Sequence, residues 1–341
     1  VVDMRDEPFQ RRERVLFSKT LRLKIRERLE RKEQIVILQN RRGFAPVVQC
    51  GECGESVECP RCGVSLTCHR ADGEDLRCHY CDHRQPVPDR CSHCQSAEVR
   101  LQGVGTQKVE TALEEQFPDI RVIRMDVDTT GWKGAHDDLV ERFRRHEADV
   151  LLGTQMVAKG LDFPGVTLVG VISADTGLHM PDFRAAERSF QLLTQVAGRS
   201  GRGDKPGEVV IQTRLPDEAV LQAAAGQDFD KFVESELVER RAAGFPPFGR
   251  LIVFRWRGEA VAAVEQAAHE GVIRLRQTCQ PGVQLLGPAP APLARLRGKH
   301  RFQALLMGAS ARALRQTTTA ALAPMRQAAG KFDVDLIIVV D

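Results

Sequence analysis

Nine of the ten cysteines fall between Cys50 and Cys94, and eight of them form four C-x-x-C pairs: Cys50/Cys53, Cys59/Cys62, Cys78/Cys81 and Cys91/Cys94. One such pair is common to redox sites and chance. Four in tandem supply two complete tetrahedral thiolate sets, so two structural zinc ions are expected. Gly54 follows Cys53 and Gly63 follows Cys62, which lets the backbone turn tightly and aim amides at the sulfurs. The apolar side chains of the stretch are essentially Val57, Val64, Leu66, Leu76, Tyr80 and Val87, too few for an independent core, so metal binding and folding should be one event. Disulfides would suit a secreted chain, but nothing here resembles a signal peptide and the N-terminus is charged within six residues. A dithiol redox site needs one pair at a strand-to-helix turn, and four pairs are too many. Cys68 is expected as a buried or partly exposed thiol outside the ligand sets and Cys279 as part of a helical core. His69, His79, His83 and His93 are surplus to two four-thiol sites.

The length of 341 residues allows two or three domains, and no apolar run approaches a membrane span, so a reducing cytosolic setting is expected. The net charge of +3 hides an uneven distribution. Residues 1–42 hold thirteen Lys or Arg against seven acids, and residues 274–326 hold nine basic residues and no acid. Both are candidate phosphate-backbone surfaces. The cysteine stretch carries five Arg against eight acids before its thiolates are counted. It therefore reads as a structural wedge or a protein-docking surface rather than an electrostatic grip on nucleic acid.

Residues 1–17 lack periodicity and read as a linker or strap. Ser18 can cap a helix with Leu21, Ile25 and Leu29 on one face, and Ile35 to Leu38 read as a buried strand. The cysteine stretch interrupts that domain. It resumes near residue 99 with helices carrying Val109/Leu113/Phe117 and Leu139/Val140/Phe143, strands at 121–125, 150–152, 166–172 and 208–212, a helix at 185–197 and helical residues 216–243. Alternating strands and helices imply a doubly wound α/β sheet covered on both faces. After Gly244 the pattern is strand, helix, strand, a Pro-rich basic loop, strand, helix, strand, as in a small α+β domain of the split βαβ type. The expected division is 1–33 as linker and helix, 34–49 with 95–243 as the α/β lobe, 50–94 as the zinc insertion, and 244–341 as the C-terminal domain.

Gln195-x-x-Gly198-Arg199-x-Gly201-Arg202 places three polar side chains on one helical face, with glycines that let a phosphate come close. Two guanidiniums there can clamp a γ-phosphate. This element resembles motif VI of superfamily 2 helicases, and GTQMVAKGLDFPGV resembles their motif V. With NRRGFAP, CHYC, GVGTQKVE, RMDVDTT and PDFRAAERSFQLLTQVAGR, the chain is similar, more narrowly, to the primosomal protein N′ (PriA) family of replication restart helicases, from their second lobe onward.

The resemblance implies a RecA-like lobe in which Arg199 and Arg202 reach the nucleotide, Gln195 orients phosphate or water, and Lys159 and Gly160, with Thr154 and Gln155, couple nucleotide state to the DNA strand. Gly105 and Thr106 would contact its phosphates. It implies nested zinc pairing, with Cys50, Cys53, Cys91 and Cys94 on one ion and Cys59, Cys62, Cys78 and Cys81 on the other. It makes the C-terminal domain a binder of forked or single-stranded DNA. A basic loop through Arg295, Arg297, Lys299 and Arg301 would serve there, with Phe302 as a stacking face.

Neither a G-x-x-x-x-G-K-S/T loop nor an acidic box is present, and the chain does not begin with Met, so a C-terminal fragment lacking the first lobe is expected. ATP and Mg²⁺ would bind only with that lobe, and the chain alone should not hydrolyse ATP. An ATP-driven 3′–5′ helicase that starts primosome assembly is the first reading. A DNA-binding and partner-recruiting scaffold without a motor is the alternative, and an unrelated zinc-bearing nucleic-acid-binding module is the third. By the same resemblance the partners would be single-stranded-DNA-binding protein and other primosome proteins, and the chain a monomer in the bacterial cytoplasm at the nucleoid.

Overall fold

The computed structural model describes residues 1–7, 9–10, 13–39, 47–69, 75–102, 105–126, 129–130, 134–158, 163–198 and 206–341. A two-residue strand β1 (Val2–Asp3) is followed by a short ribbon of β2 (Phe9–Gln10) and β3 (Glu13–Arg14). Ser18 then caps α1 (Lys19–Glu30), its hydroxyl accepting from the Leu21 amide at 3.1 Å. After β4 (Gln34–Leu38) come the strands that carry the cysteines: β5 (Val47–Cys50), β6 (Thr67–His69), β7 (Asp75–Arg77), β8 (Arg84–Pro86) and β9 (Val99–Gln102). They form their own antiparallel sheet in the order β8-β7-β6-β5-β9.

The lobe continues through α2 (Thr106–Gln116), β10 (Val122–Met125), α3 (Ala135–Arg144), β11 (Val150–Gly153), β12 (Val166–Val171), α4 (Asp175–Leu178), α5 (Ala185–Ala197) and β13 (Glu208–Thr213). Its six strands pair in parallel in the order β1-β13-β12-β4-β11-β10. β4 sits inside this sheet and is buried throughout, as its unbroken apolar run requires. Alternate residues supply the two faces. Ile35 and Ile37 pack with Leu21, Ile25, Val109 and Leu113 of α1 and α2, while Val36 and Leu38 pack with Val140, Phe143, Phe190 and Leu193 of α3 and α5.

The residues read as a strap behave otherwise. Val2 and Asp3 pair with Gln212 and Thr213 at the sheet edge, and Phe17 is fully buried beneath the sheet. Two residues are too short a strand to leave a periodic signal. The helical stretch after residue 216 is two helices, α6 (Ala219–Gly226) and α7 (Phe229–Ala243), broken at Gln227 in the left-handed region, with Asp228 capping the second.

The C-terminal domain runs β14 (Arg250–Gly258), α8 (Val261–Thr278), β15 (Gln284–Leu296), β16 (Lys299–Gly308), α9 (Ala311–Lys331) and β17 (Asp335–Val340), with sheet order β15-β16-β14-β17, all antiparallel. This is the split βαβ arrangement expected from the pattern. The Pro-rich basic segment, however, is no loop. It belongs to β15 and to the two-residue turn Arg297-Gly298, both of positive φ as a primed hairpin turn requires. Pro288, Pro290 and Pro292 lie on an edge strand, where their missing N–H groups can face solvent.

Candidate metal centre and nucleic-acid interface

The eight expected ligands form two groups, Cys50/Cys53/Cys91/Cys94 and Cys59/Cys62/Cys78/Cys81, with all four sulfurs of each group within 4.8 Å of one another. Four sulfurs held tetrahedrally at about 2.3 Å from zinc stand roughly 3.8 Å apart. The Sγ–Sγ distances are 3.6 Å for Cys50–Cys94 and 3.7 Å for both Cys53–Cys91 and Cys59–Cys81. All eight are free cysteines. In each site one thiol is pulled down and a neighbour pushed up. Cys78 falls to about 5 chiefly by a hydrogen bond from Cys62, whose own value rises for the same reason. Cys94 falls to about 7 through the Ser96 amide, and burial pushes Cys53 up. Four adjacent thiolates need a cation, and the donor set fits Zn²⁺.

Each C-x-x-C closes in the same way. The amides of Gly54, Gly63, Asp82 and Gln95 donate to the carbonyls of Cys50, Cys59, Cys78 and Cys91 at 2.9–3.1 Å. All four donors have positive φ, of +85, +62, +64 and +61°. The two glycines were legible as turn residues; Asp82 and Gln95, which adopt the left-handed conformation under tertiary constraint, were not. The amides of Tyr80 and His93 point at Cys78 and Cys91 Sγ, each at 3.4 Å. Cys68 is buried outside both sets. Cys279 is no core thiol but a half-buried cap at the end of α8, where its Sγ donates to the Val283 carbonyl.

The module is fastened on two sides. His179, buried at the C-terminal end of α4, shares its Nε2 with the Gly54 carbonyl and Gln49, both at 3.1 Å. Burial holds its imidazole below the ordinary value. Asp175 accepts from the Thr213 hydroxyl and, at 3.0 Å, from the Arg214 amide, which positions Arg214 against Gly54. On the other side Val64, Leu66, Leu76 and Tyr80 share an apolar cluster with Phe245, Leu251, Leu305 and Met307. Gln303 Nε2 donates to the His79 carbonyl at 3.1 Å, and His79 Nδ1 lies 2.7 Å from the Pro290 carbonyl. His79 is thus structural, as its surplus over the thiols implied.

At the C-terminal ends of the lobe strands, Thr154 follows β11 and Gln155 opens a 3-10 turn whose Val157 shares the core cluster with Val196 of α5. Gln195 is exposed in the last turn of α5. Lys159, Gly160, Arg199 and Arg202 lie outside the described residues. Gly105 is the N-cap of α2 and makes no side-chain cap hydrogen bond. The Thr106 hydroxyl is committed to Asp126 at 2.6 Å, so phosphate contact at this helix start would fall to main-chain amides.

Phe302 corrects the expectation of a stacking face: it is buried among Trp256, Leu306 and Met325 under α8 and α9. Arg301 and Lys299 lie on β16, and Lys299 is tied to Asp335 at 3.3 Å. The sheet brings in two arginines that the loop reading passed over. Arg257 sits directly opposite Arg301, and Arg255 opposite Gln303. Burial pushes the Arg255 guanidinium down, and its Nε is buried without a hydrogen-bond partner. Arg301 is also pushed down, first by burial and then by Arg255 and Arg257. Only the strand alternation, which turns residues 255 and 257 to the face opposite Trp256, could have signalled this cluster.

A parallel lobe with strand-end polar residues, an inserted two-site cysteine module and an antiparallel C-terminal domain define the second lobe of a RecA-like helicase and its appendages. Residues 94–204 match the helicase conserved C-terminal domain, 59–86 the PriA DNA helicase Cys-rich region and 241–341 the primosomal protein N C-terminal domain. The chain is 46% identical to the replication restart protein PriA of Bacillus subtilis (strain 168) over 90% of its own length and 38% of that protein's. For the PriA of Synechocystis sp. (strain ATCC 27184 / PCC 6803 / Kazusa) the values are 44%, 90% and 37%. For the PriA of Haemophilus influenzae (strain ATCC 51907 / DSM 11121 / KW20 / Rd) they are 36%, 98% and 46%. The chain belongs to the PriA family and spans less than half the length of each of these relatives.

Proposed function

We propose that the chain serves replication restart as the second lobe, zinc module and DNA-binding C-terminal domain of an ATP-dependent 3′–5′ helicase that engages stalled forks and starts primosome assembly. The observation that carries the DNA reading is the cationic strip on the C-terminal sheet. Arg255 and Arg301 crowd one face beside Arg257, which is paired with Asp335 at 2.9 Å, and Arg295 and Arg297 at the adjoining hairpin make no ion pair among the described residues. Like charges held this close favour an incoming phosphate. Cys50, Cys53, Cys91 and Cys94 would hold one Zn²⁺, and Cys59, Cys62, Cys78 and Cys81 the other. The ions would supply structural crosslinks only.

In the lobe, Gly105, Thr106, Thr154 and Gln155 would face the DNA strand. Gln195, with Arg199, Arg202, Lys159 and Gly160, would face ATP and Mg²⁺ held largely by a first lobe. Single-stranded-DNA-binding protein and other primosome proteins are partners on this reading, acting in the cytoplasm. No helix among the described residues is long and apolar enough to cross a membrane.

The DNA reading is tested by titrating a labelled oligothymidylate with the zinc-loaded chain at several salt concentrations. Arg255→Gln/Arg301→Gln should weaken binding about tenfold and flatten the salt slope by about 0.7 for each phosphate that the variant leaves unneutralised. Unchanged affinity and slope would move the footprint off this face.

A further inference from the structure

A cleft of about 650 Å³ opens where the zinc module, the α6–α7 pair and the C-terminal sheet meet. That is within the range of roughly 300–1,000 Å³ that encloses a ligand of several side chains. Its floor is apolar, with Val64 from the module, Leu215 from the lobe, and Phe245 and Met307 from the C-terminal side, all buried. Its rim is acidic. Glu55 and Glu58 come from the module, Glu218 from the start of α6 and Glu239 from α7.

None of these four glutamates makes an ion pair among the described residues. The remaining acids that line the cleft are already engaged: Asp182 by Arg188 at 2.7 Å and Glu236 by Arg240 at 2.7 Å. Of the two lining cations, Arg240 is also held by Glu187, which leaves exposed Arg61 alone against four carboxylates. The glutamates act on one another. Glu218 is pushed up by burial and then by Glu55 and Glu239, and Glu58 by burial and then by Glu55. Carboxylates from separate elements therefore repel across a junction that the apolar contacts hold shut.

The sign and spread of these charges restrict what can enter. Nucleic acid is repelled. A single metal ion is not served either, because the only groups of three or more ligand atoms converging within 4.8 Å among the described residues are the two cysteine sets. Separate cations on one chain, with apolar side chains between them, match both rim and floor. We propose that this cleft docks an extended lysine- or arginine-bearing segment of a partner protein, its apolar side chains on the floor and its cations among Glu55, Glu58, Glu218 and Glu239. The proposal is independent of the DNA reading, whose cations lie on a different part of the sheet.

The test is fluorescence anisotropy at about 0.15 M salt with the zinc-loaded chain and a labelled peptide of alternating lysine and leucine, with a glutamate-for-lysine version as control. The lysine peptide should bind saturably and the control should not. Glu55→Gln/Glu58→Gln/Glu218→Gln/Glu239→Gln should weaken binding at least tenfold with zinc content and melting temperature retained. Ala243→Trp, at an exposed position lining the cleft, should do the same by filling it with the charges intact. Amides in place of Asp137, Asp138 and Glu141 on α3 should leave binding unchanged. Equal binding by the cleft and α3 variants, no effect of Ala243→Trp, or no binding by the unmodified chain would each overturn the proposal. So would displacement of the peptide by equimolar spermidine, which would reassign the cleft to a small polyamine.

Discussion

The two four-cysteine sites share a ligand set and a knuckle geometry but are fastened to different things. The site of Cys50, Cys53, Cys91 and Cys94 is held on the lobe by the close approach of Gly54 to Arg214 and by the polar His179–Gln49–Gly54 network. Its outermost ligand, Cys94, is exposed. The site of Cys59, Cys62, Cys78 and Cys81 sits in an apolar cluster with the C-terminal sheet, and both Cys59 and Cys78 are buried there. A zinc module too small for its own core can therefore borrow one. Folding of this module is coupled to the C-terminal domain as well as to metal, which amends the expectation that metal alone decides it.

The largest effects should come from the ligands. Cys78→Ser should abolish the second site, drop zinc from two to one per chain and unseat the C-terminal domain, since structural zinc contributes on the order of 10 kcal/mol. Cys94→Ser should lose one zinc yet keep the apolar docking. Metal analysis with near-ultraviolet circular dichroism would separate the two, and identical spectra for both variants would erase the distinction.

A smaller contrast lies in the knuckles. A Cβ on Gly54 would stand 2.6 Å from Arg214 Cβ in addition to its φ of +85°, whereas one on Gly63 would meet open space at φ +62°. Gly54→Ala should cost about 3 kcal/mol and Gly63→Ala about 1 kcal/mol in denaturant unfolding. Equal losses would mean that Arg214 simply moves aside.

The smallest effect is a pH dependence. Burial depresses His179 below its ordinary 6.5. The unfolded chain therefore binds more protons between the folded value and 6.5, so stability is present above pH 6.5 and is lost as pH falls toward the folded value. His179→Gln should cost about 1 kcal/mol at pH 8 and flatten the pH profile of melting between pH 5 and 7. A parallel profile would show that the slope belongs to other groups.

Much of this molecule was readable from residues alone. Eight thiols at that spacing admit few arrangements, and Leu21, Ile25 and Leu29 or the unbroken run Ile35–Leu38 carry their periodicity in the local chain. The burial of Phe302 and the gathering of Arg255 with Arg301 were both illegible for one reason. Facing direction in a strand depends on register, and register is set by hydrogen bonds to residues about fifty positions away. Charge counting likewise marked the cysteine stretch as acidic without revealing that Glu55 and Glu58 meet Glu218 and Glu239.

The sequence by itself determined the chemistry available: two tetrathiolate sets, a parallel α/β lobe and a split βαβ domain, each written in short-range pattern. Tertiary structure alone decided which surfaces meet. The zinc module bridges lobe and C-terminal sheet because its few apolar side chains must complete a core elsewhere, and that bridge creates the acidic cleft, while the pairing of β14 with β16 gathers the cationic face beside it.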